Sequence, residues 1–203
     1  MWKDLALWRV ASLGARAAAE AADRAWFEED RRLREALTRR DIGVWSHYIA
    51  DGSQPLHVTV HFNGWGTYAN PRGFTTATTL HAWFEGELVR RFVARERVAA
   101  AVGPYRDCRC AIEARTRAYL AATWATVVAL YELERAGGLQ EGDPRGVDFA
   151  TRRLAAGAAE VRDMIVDAWR ASADVSVGYP EVSVRDVESG KVPLTRERFL
   201  GLD

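Results

Sequence analysis

The sequence predicts an all-α protein, a single multi-helix, bundle-like domain over residues 1–203. Three observations lead there. The chain is rich in Ala, Leu, Arg and Glu, which lose little on entering a helix. Apolar residues recur at alternating steps of three and four, the spacing of one helix face. Strand-like alternation of apolar and polar residues is scarce. With 203 residues, 48% of them hydrophobic, one sizeable core is within reach.

The first segment, about 2–39, sets Leu5, Trp8, Ser12, Ala15, Ala19, Ala22 and Trp26 in one stripe, continued by Leu33 and Leu37 after a bend around Glu28–Asp30. Asp41 reads as the N-cap of a second helix, about 42–52, ending near Asp51-Gly52. Residues 53–74 are punctuated by Gln54-Pro55, Asn63-Gly64, Gly66, Asn70-Pro71 and Gly73, and read as a long irregular connection. Loops of that length inside a compact domain are functional or tied down. A helix of about 76–98 follows and is broken at Gly103-Pro104. The next, about 107–136, carries Ile112, Thr116, Tyr119, Thr123, Val127 and Leu130 on one face and stops at Gly137-Gly138. Asp143-Pro144 marks the start of the last long helix, with Leu154, Ala158, Val161, Ile165 and Ala168 along its face. From about 174 the tail reads as coil with one short extended piece.

Composition excludes several function classes. Twenty-eight basic residues balance 28 acidic ones, so no surplus positive field attracts nucleic acid. No run of eighteen apolar residues is present, which predicts no transmembrane segment. Eight Trp, seven Phe and six Tyr are incompatible with a disordered chain. Met1-Trp2-Lys3-Asp4 opens an amphipathic pattern with no signal peptide. Cys108 and Cys110, two residues apart, are expected as free thiols near a helix start. The arginines at 31, 32, 34, 39 and 40 alternate with Glu28, Glu29, Asp30 and Glu35, the pattern of a solvated helix face.

All four histidines lie between positions 47 and 81. His47 and Asp51 are four apart, as are His81 and Glu85, so each pair shares a helix face and can share a cation. His57 follows the Gln54-Pro55-Leu56 turn between them. Imidazole and carboxylate ligands together suit zinc or a similar divalent ion. A single His-x-x-x-acid pair would be an ordinary surface ion pair; two pairs and a third histidine bracketing a long loop point to a metal site. His61, Asn63, Trp65, Tyr68 and Phe74 read as residues that pin the loop, with a pocket lining as the alternative. Trp83 and Phe84 read as core. Glu-x-x-His pairs of a di-iron bundle and the adjacent His-Asp of an HD-type phosphohydrolase are absent from the sequence.

The string His47-Tyr48-Ile49-Ala50-Asp51-Gly52-Ser53-Gln54-Pro55-Leu56-His57, followed by Leu80-His81-Ala82-Trp83-Phe84-Glu85, resembles the zinc-dependent phospholipase C / S1–P1 nuclease superfamily. Members carry H-x-x-x-D-x-x-Q-P-x-H and then H-x-x-x-D or H-x-x-x-E. Glu85 matches the phospholipase branch, where the nuclease branch more often has Asp. The resemblance implies an all-α fold of that type and a cluster of up to three Zn2+ ions hydrolysing phosphodiester bonds, in single-stranded nucleic acid or in phospholipid head groups. His57, His81 and Glu85 would hold one zinc, His47 would serve a second, and Asp51 would be the carboxylate shared between the second and third. No separate catalytic base is identified, so Asp51 is the best catalytic candidate. A zinc pair would lower the pKa of a bridging water while the cluster neutralises transition-state charge.

Family members are usually secreted or periplasmic, and their remaining ligands lie upstream: the amine and carbonyl of a mature N-terminal Trp, an Asp and two further His. No histidine precedes His47, and Trp2 lies too near it for that layout. The expectation is an absent N-terminal portion, with signal and ligands. By count, the zinc of His57, His81 and Glu85 keeps three protein ligands plus an open position, the composition of a catalytic site. Two functions follow as expectations: a zinc-dependent phosphodiesterase, or a catalytically impaired helical protein whose single structural zinc fastens loop 53–74.

Overall fold

The computed structural model describes residues 1–200, which divide into two compact units, Met1–Ser46 with Met164 onward, and His47–Asp163. About two thirds of the chain is helical, as the composition predicts. No helix among the described residues is long and apolar enough to cross a membrane.

In the first unit α1 (Trp2–Ala17) precedes the start of α2 (Ala21–Asp51). The single segment expected over 2–39 is therefore two helices, and the break falls at 18–20 rather than near Glu28. Ala18 leaves the helix at ψ 140°, and the Arg24 guanidinium donates to the freed carbonyls of Ala18 and Ala19, both at 2.6 Å. Phe27 packs on Gly14, where any Cβ would lie 2.3 Å from the ring. Asp41 does not cap a new helix; α2 runs straight through it. Its exposed face carries a ladder of ion pairs, Arg31 with Glu28 and Glu35, Arg32 with Glu28, Arg34 with Asp30 and Arg39 with Glu35, which supports helix where the apolar stripe has lapsed.

The tail holds more structure than its composition suggests. Antiparallel strands β1 (Ser176–Val177) and β2 (Val182–Ser183) pair, and α9 (Val184–Glu188) and α10 (Arg196–Leu200) follow in short turns. Val177, Val182, Val184 and Val187 bury against Ala6, Val10 and Ala11 of α1. Arg9 fastens this core: its guanidinium lies 4.3 Å over the Trp169 ring and pairs with Glu188 at 2.9 Å.

The second unit contains the connection 53–79. Within it a 3-10 turn, Pro55–Val58, is followed by irregular chain stapled by Trp65 N–H to the Thr75 carbonyl (2.8 Å) and by Asn70 to both polar groups of Phe74. Gly64 adopts φ +79° against the Thr76 backbone, a position closed to other residues. The helix after the loop is shorter than its periodicity suggests: α3 (Leu80–Ala82), a π turn (Trp83–Glu87) and α4 (Leu88–Phe92), then α5 (Arg95–Ala101) after a break at Val93. Next come α6 (Ile112–Trp124), α7 (Val127–Arg135) and α8 (Pro144–Ala171). Gly137 takes the left-handed conformation (φ +74°), and the Gly138 N–H returns to the Leu133 carbonyl at 2.8 Å, closing α7. Asp143 accepts from the Arg145 N–H at 2.9 Å and so caps α8, with Pro144 in the first turn. Leu56, Phe74, Leu80, Phe84, Leu88, Leu130 and Tyr131 form the core.

Cys108 and Cys110 are bridged, not free. Arg109 between them adopts φ 48°, and across this left-handed kink the two Cα atoms stand 5.1 Å apart, inside the bridging range.

Candidate metal centre

Three elements of the second unit converge on one point. The Gln54-Pro55 turn presents His57, α3 presents His81, and the π turn presents Glu85. π turns inside helices recur at functional sites because the extra residue re-aims the side chains beside it. Phe84, nearly fully buried, anchors that turn to the core, and the Trp83 indole donates to the Leu139 carbonyl at 2.7 Å.

The Nε2 atoms of His57 and His81 lie 3.1 Å apart, and Glu85 Oε2 lies 3.1 Å from the first and 2.9 Å from the second. With Glu85 ionised, the form its lowered pKa favours, no placement of protons satisfies this triangle. If one imidazole donates to the other, the acceptor ring meets Glu85 with a lone pair; if both donate to Glu85, two N–H groups confront each other. A cation receiving all three lone pairs removes the conflict. Donors held about 2.0–2.1 Å from one ion stand about 3.3 Å apart in tetrahedral and about 2.9 Å apart in octahedral coordination. The three edges fall in that interval, and two imidazoles with one carboxylate match the composition of open zinc sites. The residues fit a divalent cation.

Neighbouring polar groups hold the donors in place. Gln54 is buried, and its amide is used at both ends: Oε1 accepts from the Leu56 N–H at 2.7 Å and caps the 3-10 turn, while Nε2 donates to Glu85 Oε2 at 3.1 Å. Burial pushes the Glu85 carboxyl up, but the hydrogen bonds from Gln54 and His81 and the charge of the histidines outweigh it, leaving it below its ordinary range. Asp51 stands behind His57, its Oδ1 3.7 Å from Nδ1, on the side of the ring opposite Nε2. His47, with 69% of its side chain exposed, lies 3.2 Å from the other Asp51 oxygen.

The structure thus brings His57, His81 and Glu85 together, and among the described residues they are the group of three placed to share an ion. His47 and Asp51 adjoin that group through His57. Asp30 is paired with Arg34, and Asp23 accepts from the Arg196 N–H. His61 belongs to the loop: it stacks on Trp65 at 3.7 Å, its Nδ1 meets the Trp65 carbonyl at 2.9 Å, and its own carbonyl accepts from Tyr131 at 2.5 Å. Trp65 and Phe74 pack on Tyr131, so these aromatics pin the loop.

Beside the three donors opens a groove of about 950 Å3, with His57, His81 and Asp51 on one side. Its other walls include Phe62, Tyr48 and Trp124, all more than half exposed, and Arg117 is the one permanent cation lining it among the described residues. Arg117 and Trp124 come from α6, far along the chain from the histidines, and no local motif marks them. Comparison with known proteins gave no matching family model, no matching curated protein and no matching solved structure.

Proposed function

We propose that the protein is a metal-dependent hydrolase of phosphodiesters, with His57, His81 and Glu85 as its principal metal ligands. The observation that carries the reading is the proton-deficient triangle of donor atoms, with edges of 2.9–3.1 Å, open to a groove rather than sealed. Structural zinc sites are closed by four protein ligands, whereas catalytic ones keep a position for water and substrate. A divalent cation bound there supplies Lewis acidity and a water of lowered pKa.

The chain's own residues would do the rest. Gln54 holds the Glu85 carboxylate and, through its cap on Leu56, the turn that presents His57. Arg117 offers a guanidinium to a phosphoryl oxygen, and Phe62, Tyr48 and Trp124 offer apolar surface to the ester substituent. The resemblance of segment 47–57 to the phospholipase C / S1–P1 nuclease superfamily supports phosphodiester chemistry and extends the ligand set to His47 and Asp51, up to three Zn2+ in all. Nucleic acid and phospholipid head groups are both substrates of this kind.

Hydrolysis of bis-(p-nitrophenyl) phosphate by zinc-loaded protein, lost with chelator and lost in His81→Ala, is the expected result. Absence of turnover at full zinc occupancy would leave the second reading, a helical protein with one zinc that fastens the loop. That reading is favoured by the single three-donor group among the described residues.

A further inference from the structure

A second cavity lies between α6 and α8, wholly within the unit His47–Asp163 and made of residues the metal centre does not use. Its volume is about 650 Å3, well inside the range that holds a small ligand. The walls are alanines 118, 122, 155, 156 and 159, which leave room by being small and offer no polar partner. Four arginines and two acids also line it. Both acids are engaged by Arg115: Glu160 in a fork at 2.6 and 3.1 Å, Asp163 at 3.5 Å.

Arg153 has no such partner among the described residues. Its Nε is buried without a hydrogen bond, and burial holds the guanidinium below its ordinary pKa, because the charge has been taken from water and no carboxylate answers it. Thr123, fully buried in the same cavity wall, has a hydroxyl that is likewise unpartnered. A guanidinium whose buried Nε lacks an acceptor and an orphaned hydroxyl in one alanine-lined cavity are the complement of an anionic head on an apolar body.

We infer that this cavity binds a small amphipathic carboxylate, its head on Arg153 and Thr123 and its aliphatic body along the alanine faces of α6 and α8. A planar carboxylate matches the guanidinium fork in two parallel hydrogen bonds, and the alanine walls explain why inorganic anions would gain less.

The test is calorimetric titration of the full chain with sodium octanoate below its micelle threshold, with chelator present and again after zinc loading. Saturable binding indifferent to zinc is expected. Arg153→Gln should weaken it by about tenfold or more, the scale of a charged hydrogen-bonded pair. Thr123→Val should weaken it severalfold, and Ala156→Leu, which fills the cavity without touching the polar end, should abolish it. Circular dichroism confirms that each variant is folded. Octanoate binding unchanged in folded Arg153→Gln, octanol or inorganic phosphate binding as well as octanoate, or no binding to the wild-type chain would each overturn the assignment. Binding that follows zinc and ignores Arg153 would place the ligand at the metal centre instead, and would equally overturn it.

Discussion

His57 and His81 point their Nε2 atoms at each other across 3.1 Å, with Glu85 Oε2 closing the triangle. Without a cation and with Glu85 ionised, one edge always lacks a proton or holds two. The arrangement should therefore cost stability when empty and give it back when filled. His57→Ala and His81→Ala are expected to remove most bound zinc, read by elemental analysis after dialysis. Zinc at a hundredfold excess over its dissociation constant should stabilise the wild type by about 2.7 kcal/mol, raising Tm by roughly 5–10 °C, with little effect on either variant. Hydrogen exchange over residues 53–79 should slow in wild type alone. Unchanged zinc content in both variants would remove the metal assignment.

Gln54 offers a sharper test because it is not one of the three donors. Its amide ties the His57 turn to Glu85, 31 residues away. Gln54→Leu keeps the volume and loses both bonds. Zinc affinity is expected to fall about 10- to 100-fold, the scale seen when a ligand's orienting partner is removed. Gln54→Glu should restore the cap to Leu56 but set a second carboxylate against Glu85, and so leave affinity depressed. Competition with a chromogenic chelator measures both.

The cluster of His57, His81 and Glu85 is legible in the sequence because its members sit at fixed local spacings. His81 and Glu85 share a face by helix geometry alone, and Gln54-Pro55 dictates the turn that delivers His57. What the spacing does not encode is the order of shells around the site. His47 and Asp51 have the same i, i+4 relation as His81 and Glu85, yet Asp51 reaches His57 at Nδ1, the ring nitrogen away from the donor triangle. Arg117 and Trp124 enter the groove only through the packing of α6, which no short motif reports. In the fold, the strong stops at Gly137 and at Asp143-Pro144 fall where the residues put them, because a left-handed glycine and a cap act locally. The breaks at Ala18 and at Val93 have no such residue. The first depends on Arg24, whose guanidinium reaches back to two carbonyls, an interaction invisible to periodicity. The Cys108–Cys110 bridge is hidden for a similar reason, since it needs a left-handed Arg109 that sequence does not announce.

Two glycines in long helices should respond to the same substitution with opposite signs. Gly43 lies inside α2 with nothing within 4 Å of the point where a Cβ would stand, so Gly43→Ala removes backbone entropy from the unfolded chain and should stabilise by about 0.5–1 kcal/mol. Gly146 lies in the first turns of α8, where a Cβ would sit 2.2 Å from the Gly138 carbonyl oxygen. The helix start would have to move off the turn that closes α7, and Gly146→Ala should destabilise by about 1–3 kcal/mol. Thermal melts of the two variants decide it; a shared sign would contradict the packing at Gly146.

Alkaline titration probes the loop pinned by Tyr131. Burial pushes the phenols of Tyr131 and Tyr119 up to about 12, and each donates a hydrogen bond that only the protonated form can make, to the carbonyls of His61 and Ile49. In the tyrosinate absorbance these two phenols should ionise well above the ordinary tyrosine value. The sign of the linked stability follows. Between pH 10 and 12 the unfolded chain has released these protons while the folded chain keeps them, so stability falls as pH rises. The contribution is whole below pH 10 and gone by about pH 12. For Tyr131, which is fully buried, the loss amounts to about 2–3 kcal/mol. Tyr131→Phe should cost about 1 kcal/mol at neutral pH, by leaving the His61 carbonyl without its donor, and should flatten the decline above pH 10 to the share carried by Tyr119. Denaturant midpoints measured at pH 8, 10 and 12 for wild type and variant test it; parallel pH profiles would show that the phenol does not hold the loop.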